Sequence, residues 1–358
     1  MNTMNKQPSR RIPYGHFLVL VLLSALLAAC SGPKVVPGRK LQWPPPPEEP
    51  RIAWAGEISD YSEAGITKGW WRKVVDFVAG ESDYHIGRPY GVYVDGHGRI
   101  FVVDTEYKSI QIMDTVADRY SAIAGPNKSS AFLSPIGITG DDAGNVYFTD
   151  SLAGNVYRYD IADKTVSLFC GALERPTGIA FNNRNRMLYV SDTTADRVVV
   201  FDRQGVEKFH IGKSGVAPGE LNHPTDLFID GNGTLYVTDP LNARVQLFSP
   251  DGEFIRSVGR AGDDPGEFFK PKGVAVDSSG NIYVVDSLSD TVKVFDNSGR
   301  FALEFGSRGD DAGMFWLPSG LDIDAKDTIY VADTYNRRIQ KFRRILPASA
   351  ATKGEVPK

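Results

Sequence analysis

One stretch constrains this chain more than any other: residues 271–295, PKGVAVDSSGNIYVVDSLSDTVKVF, whose pattern returns along most of the sequence. Within it, residues 273–277 and 282–286 are short runs rich in β-branched and aromatic side chains, joined by Ser278-Ser279-Gly280-Asn281. Such runs around a small polar turn read as a β-hairpin. A third run, 291–295, alternates polar and apolar residues, and the turn Asp296-Asn297-Ser298-Gly299 leads into a fourth, 301–305. Each repeat is therefore a four-stranded antiparallel meander. The nearly continuous apolar character of the first two strands predicts cover on both faces, and the alternation in the third and fourth predicts strands nearer solvent.

The register is fixed by an Asp that closes the second strand, recurring as Asp104, Asp150, Asp192, Asp239, Asp286 and Asp333 at spacings of 46, 42, 47, 47 and 47. A Pro precedes it by 15 residues in five repeats (Pro89, Pro135, Pro224, Pro271, Pro318) and by 16 in the third, at Pro176. Six such units predict an all-β, six-bladed β-propeller, because one radial sheet cannot bury both faces alone whereas a ring of blades can. The sixth unit stops after its third strand at Phe342, while residues 51–58 look like the missing fourth. That segment is expected to complete the last blade and remove the open edge.

The full pattern, P-x-G-V-x-V-D-x-x-G-x-I-Y-V-x-D-[ST]-x-N-x-R-[VI]-x-x-F, resembles the NHL-repeat family of six-bladed propellers over roughly residues 88–343. The nearest copies are residues 318–339 and 223–245. The first three repeats depart from it: the usual Asn becomes Tyr107, Ala153 and Ala195, and the Arg two residues on becomes Ser109 and Asn155 before returning as Arg197. The resemblance implies the fold. It leaves function open, because the family includes scaffolds, RNA binders and a lyase.

The N-terminus carries an address. Residues 1–29 read as a signal peptide: Arg10 and Arg11 precede an apolar run over 17–29, and Leu27-Ala28-Ala29-Cys30 fits the bacterial lipobox that makes Cys30 the lipidated first residue. Ser31 after that Cys implies sorting to the outer membrane of a bacterial envelope; a periplasm-facing body is the expectation, and a surface-facing one is the alternative. Residues 31–50, with seven prolines, are expected to be an extended tether between the lipidated Cys30 and the propeller, which occupies 51–346; 347–358 form a flexible tail. Removing Lys6, Arg10 and Arg11 with the signal takes the net charge from -4 to about -7. That charge argues against nucleic-acid binding, which needs clustered Lys and Arg. Cys170 is the one thiol left in the folded part and is read as buried and inert.

Residues 59–88 form an insertion in which Trp70, Trp71, Val74, Val75 and Val78 share one side of a helical wheel, predicting a short amphipathic helix over 67–79. It caps the closure seam or adds aromatic surface beside the central opening. The loops after the repeated Asp and before the repeated Pro lie on one face of the disc, where function usually sits in such folds. The candidate binding face comprises Trp70, Trp71, Glu106, Tyr107, Arg175, His223, Asn242, Tyr335 and Asn336. An Asp demanded by every blade is read as structural, bonding loop amides or the Arg five residues on.

A metal site needs several His or carboxylates on one ion, and the mature chain offers His85, His97, His210 and His223, of which only His85 and His223 can share the mouth. No cofactor is expected. The reading is a monomeric, lipid-anchored, non-catalytic protein-binding module. The alternative is a small-molecule or metal-dependent hydrolase or lyase using the channel, with Glu106, Asn242 and Asn336 as candidate ligands. A partner-binding module predicts a broad exposed patch with aromatics, whereas an enzyme predicts a narrow pocket of converging polar groups.

Overall fold

The computed structural model describes residues 40–66, 85–127 and 129–345. The signal segment, Cys30, the proposed Trp70/Trp71 helix and the C-terminal tail lie outside the described residues. Residues 41–345 carry six antiparallel sheets, each a blade of four strands in chain order except the last. Blade one comprises Pro89–Val94, Arg99–Asp104, Ser109–Asp114 and Arg119–Ile123, and blade five comprises Pro271–Val276, Ile282–Asp286, Thr291–Phe295 and Phe301–Phe305. Blade six takes Leu321–Ile323, Thr328–Asp333 and Arg338–Arg344 from the end of the chain and Ile52–Ile58 from its beginning. Ile52 pairs with Arg344 and Ile58 with Ile339, so the expected closing strand is present. Closure leaves no blade short of a strand.

Local chemistry makes the hairpins. At the turn between first and second strands, Asp95, Asp141, Asp230, Asp277 and Asp324 each accept the backbone N–H groups two and four residues on, between 2.8 and 2.9 Å. A carboxylate replacing carbonyls in this way closes the turn without help from the rest of the fold. Between blades, aromatic and branched side chains interdigitate. Phe132 of the one–two connection meets Phe148 edge-on at 5.1 Å, and Phe315 meets Phe342 at 5.7 Å. The glycine of the P-x-G motif has a packing reason: a Cβ on Gly137 would stand 2.1 Å from Thr177 O, and one on Gly178 would stand 2.4 Å from Thr225 O. At these two glycines the inner strands of adjacent blades approach backbone to backbone and leave no room for a Cβ.

Two expectations need correction. The third strand is not near solvent: Thr291–Phe295 is buried throughout, as are four of the five residues of Arg244–Phe248. Its polar residues point at the repeated Asp instead. Gln111, Gln246 and Gln340 donate to Asp104, Asp239 and Asp333, and Lys293 lies 3.4 Å from Asp286. The outermost strand is the one open to water, as in Phe254–Val258, where only Val258 is buried.

The second correction concerns residues 41–50. They do not run free: Gln42–Trp43 adds a fifth strand to blade six, Trp43 pairing with Ile52. The Trp43 ring packs 6.0 Å from Phe305 and 5.8 Å from Phe342. A strand of two residues has little stability of its own. Burial of the Trp43 ring against blades five and six is what holds it. Residues 59–66 of the insertion are also tied down, with Tyr61 against Tyr120 at 5.8 Å and Ile66 in the core.

Candidate functional site

The face carrying the Asp-to-next-strand turns and the blade-to-blade connections is built on the six repeated Asp residues, all at most 1% exposed. Each accepts from the amides just ahead of its Pro: Gly87 and Arg88 on Asp104, Leu133 and Ser134 on Asp150, Arg175 on Asp192, Asn222 on Asp239, Phe269 and Lys270 on Asp286, and Trp316 on Asp333. Arg244 and Arg338 add Nε contacts of 2.9 and 2.8 Å to Asp239 and Asp333. These carboxylates fix loops and are not offered to a ligand.

Above this layer the sequence-derived residues divide. Tyr335 stacks beside Trp316 with centroids 5.7 Å apart, and the Arg88 guanidinium sits 5.4 Å over its ring. Glu106 meets Arg337 at 3.5 Å, so blade one and blade six join in a single aromatic and charged cluster, with Tyr107 exposed beside it. Asn336 and Asn242 lie lower, each amide donating to its own blade's Asp and to the carbonyl of Gly309 or Gly215. His223 stands apart at blade four, held by its backbone N–H on Asp196 at 2.7 Å, with its ring 46% exposed. Arg175 belongs to blade three and contributes its amide to Asp192. Glu106, Asn242 and Asn336 therefore do not converge, and none lines the channel. Among the described residues, no three His, Cys, Asp or Glu side chains gather in a metal-binding group.

The same connections carry most of the exposed apolar surface. Of 14 large hydrophobic side chains left exposed among the described residues, nine belong to them, including Leu133, Leu152, Leu241, Leu288, Trp316 and Tyr335; two, Val116 and Val206, lie in turns of the opposite face. Trp316 and Arg88 were not among the residues selected from sequence. The signal was there: Phe315-Trp316 puts two aromatics side by side where backbone alternation lets only one point inward, and Phe315 is the buried one.

The channel along the ring axis holds a second constellation that the candidate list lacks. Its cavity of about 230 Å³ is walled by the first strands of all six blades. Asp226 takes the place of the P-x-G glycine in blade four and accepts from Val274 N of blade five at 3.1 Å. Asp322 of blade six accepts from Val94 N of blade one at 2.8 Å. Each carboxylate thus satisfies an inner-edge amide that has no further strand to pair with. Burial pushes both carboxyls up to about 7, against the lowering effect of those N–H groups. Lys272 of blade five reaches across to the Tyr90 ring of blade one, Nζ lying 4.8 Å from its centroid. Burial brings this ammonium down to about 8 and raises the Tyr90 hydroxyl to about 12, Asp226 adding to the latter. All four side chains remain partly open to the channel.

Fold and site define a six-bladed β-propeller with a layered loop face and a polar axial channel. Two family models match the chain: the SMP-30/gluconolactonase/LRE-like region over residues 135–265, and the NHL repeat over residues 315–342. The resemblance to NHL-repeat propellers is borne out. Among curated proteins, adipocyte plasma membrane-associated protein from Danio rerio is 26% identical over 150 residues, a stretch covering 36% of each chain. The chain thus matches about a third of that relative's length. Virginiamycin B lyase from Staphylococcus aureus superposes with a TM-score of 0.54 at 14% identity, covering 72% of this chain and 95% of the lyase. An auxiliary nutrient binding protein from Bacteroides thetaiotaomicron gives 0.57 at 16% identity, covering 73% and 70%. A lyase and a binding protein resemble the chain equally, so these likenesses speak for the fold alone.

Proposed function

We propose that this chain is a lipid-anchored propeller of the bacterial cell envelope that binds a protein partner through its loop face. One observation carries the reading: among the described residues, nine of 14 exposed large hydrophobics belong to that face's connections, around the Trp316, Tyr335 and Arg88 cluster. Aromatics and Arg set in a polar rim are the composition of protein interfaces rather than of small-molecule pockets. The anchor reading rests on Leu27-Ala28-Ala29-Cys30, with Ser31 favouring the outer membrane.

The test has two parts in the living cell. Palmitate labelling should disappear with Cys30→Ala. Chemical crosslinking of the full chain should capture a stoichiometric envelope protein that is lost with Trp316→Ala and Tyr335→Ala. Retention of the label in Cys30→Ala would remove the anchor. Capture of nothing, or capture indifferent to the aromatic changes, would remove the loop-face partner.

A further inference from the structure

The groups lining the axial channel are not all accounted for by the fold. Asp226 and Asp322 have a structural task, since each caps an inner-strand N–H of the next blade. A carboxylate has about four lone-pair positions, however, and these backbone amides leave capacity turned toward the cavity. Lys272 has no such task. Among the described residues it makes no ion pair and no hydrogen bond, and its one neighbour of consequence is the Tyr90 ring. A largely desolvated ammonium without an anion is costly, and a folded chain keeps one where a ligand completes the pair. Thr225, which also lines the cavity, carries a buried Oγ1 with no hydrogen-bond partner.

The charges select the ligand. Lys272 shares one cavity with Asp226 and Asp322, so a simple anion or a simple cation bound there leaves one sign without a partner. A solute with both charges satisfies the wall without leaving either sign unmatched. The cavity of about 230 Å³ limits it to metabolite size, just below ordinary ligand pockets of ~300–1,000 Å³. We propose that the axial channel is a binding site for a small bipolar solute whose carboxylate meets Lys272 and whose ammonium group meets Asp226 and Asp322. This site is independent of the loop face, and neither needs the other to be occupied.

The experiment is isothermal titration calorimetry of the detergent-solubilised full chain with β-alanine, 4-aminobutyrate and 6-aminohexanoate, using butyrate and butylamine as single-charge controls. At least one bipolar probe should bind at least tenfold more tightly than either control. Its affinity should fall at least tenfold in Lys272→Met and in Asp322→Asn. Lys272→Met removes only an unpaired charge, so it reports on the site even if the Asp322 variant loses its capped amide and unfolds. Absence of binding by all three probes, equal binding of butyrate or butylamine, or binding unchanged in Lys272→Met overturns the proposal.

Discussion

The two faces of the disc are made by the same repeat and are chemically unlike. On the opposite face, Asp95, Asp141, Asp230, Asp277 and Asp324 each close a tight turn with amides of their own hairpin. On the loop face, Asp104, Asp150, Asp192, Asp239, Asp286 and Asp333 sit beneath the surface and hold amides 16 or 17 residues away. A turn satisfied locally needs nothing above it and can stay polar and thin. A loop held from beneath by a buried carboxylate frees its outward side chains for other uses, and there Leu152, Leu241, Leu288 and Trp316 are exposed. The contrast teaches where a repeat protein varies its sequence without endangering its ring.

The largest test of that contrast lies within blade six. Asp333→Ala removes one buried partner each from Arg338, Asn336, Gln340 and the Trp316 amide. Losing one member of such a buried charged network costs about 3–5 kcal/mol, read from urea denaturation. Asp324→Ala, on the opposite face, loses bonds to Lys326 N, Thr328 N and the Tyr330 hydroxyl, for about 1–2 kcal/mol. Equal losses would mean that the two Asp series do the same work.

A smaller effect should appear in binding. Trp316→Ala and Tyr335→Ala are expected to weaken partner affinity by about 2 kcal/mol each, the size of an interface hot spot, with the thermal midpoint nearly unchanged. Val116→Ser and Val206→Ser, on the opposite face, should change neither quantity. Loss of affinity in the valine variants would reverse the assignment of faces.

The smallest effect concerns the channel that joins the faces. Burial pushes the Asp226 and Asp322 carboxyls up to about 7, well above the ordinary carboxylate range, so the native state holds protons that the unfolded chain has released. Their protonated forms stabilise fully below about pH 4, and that contribution is lost as pH rises through 7. The doubly substituted Asp226→Asn, Asp322→Asn protein should show a flatter fall of the midpoint temperature between pH 4 and 7 than the unsubstituted chain. Identical slopes in both would show that these carboxyls do not titrate in that window.

Much of the fold was legible because the repeat reports its own register. The spacing of the six Asp residues gave the blades, and residues 51–58 could be recognised as a strand lacking a neighbour. The Asp residues were read as structural from recurrence alone, which their burial supports. The docking of Trp43 was hidden, because a two-residue strand among prolines has no periodicity and depends on Phe305 and Phe342 far along the chain. Gln246 and Lys293 misled for a related reason: polar residues alternating in a strand look solvated, yet these two turn inward onto buried carboxylates. Asp226 was visible as a break in the P-x-G pattern. The meeting of Lys272 with Tyr90, 182 residues apart across the ring, had no local signature.

The central claim, that one face of this propeller is its binding surface, is tested most directly by a photo-crosslinking amino acid placed at single positions in the cell. Leu152 and Leu288 report on the loop face, and Val116 and Val206 on the opposite one. A defined adduct from the first pair and none from the second is the predicted result. Adducts from the second pair alone, or none from any position, would contradict it.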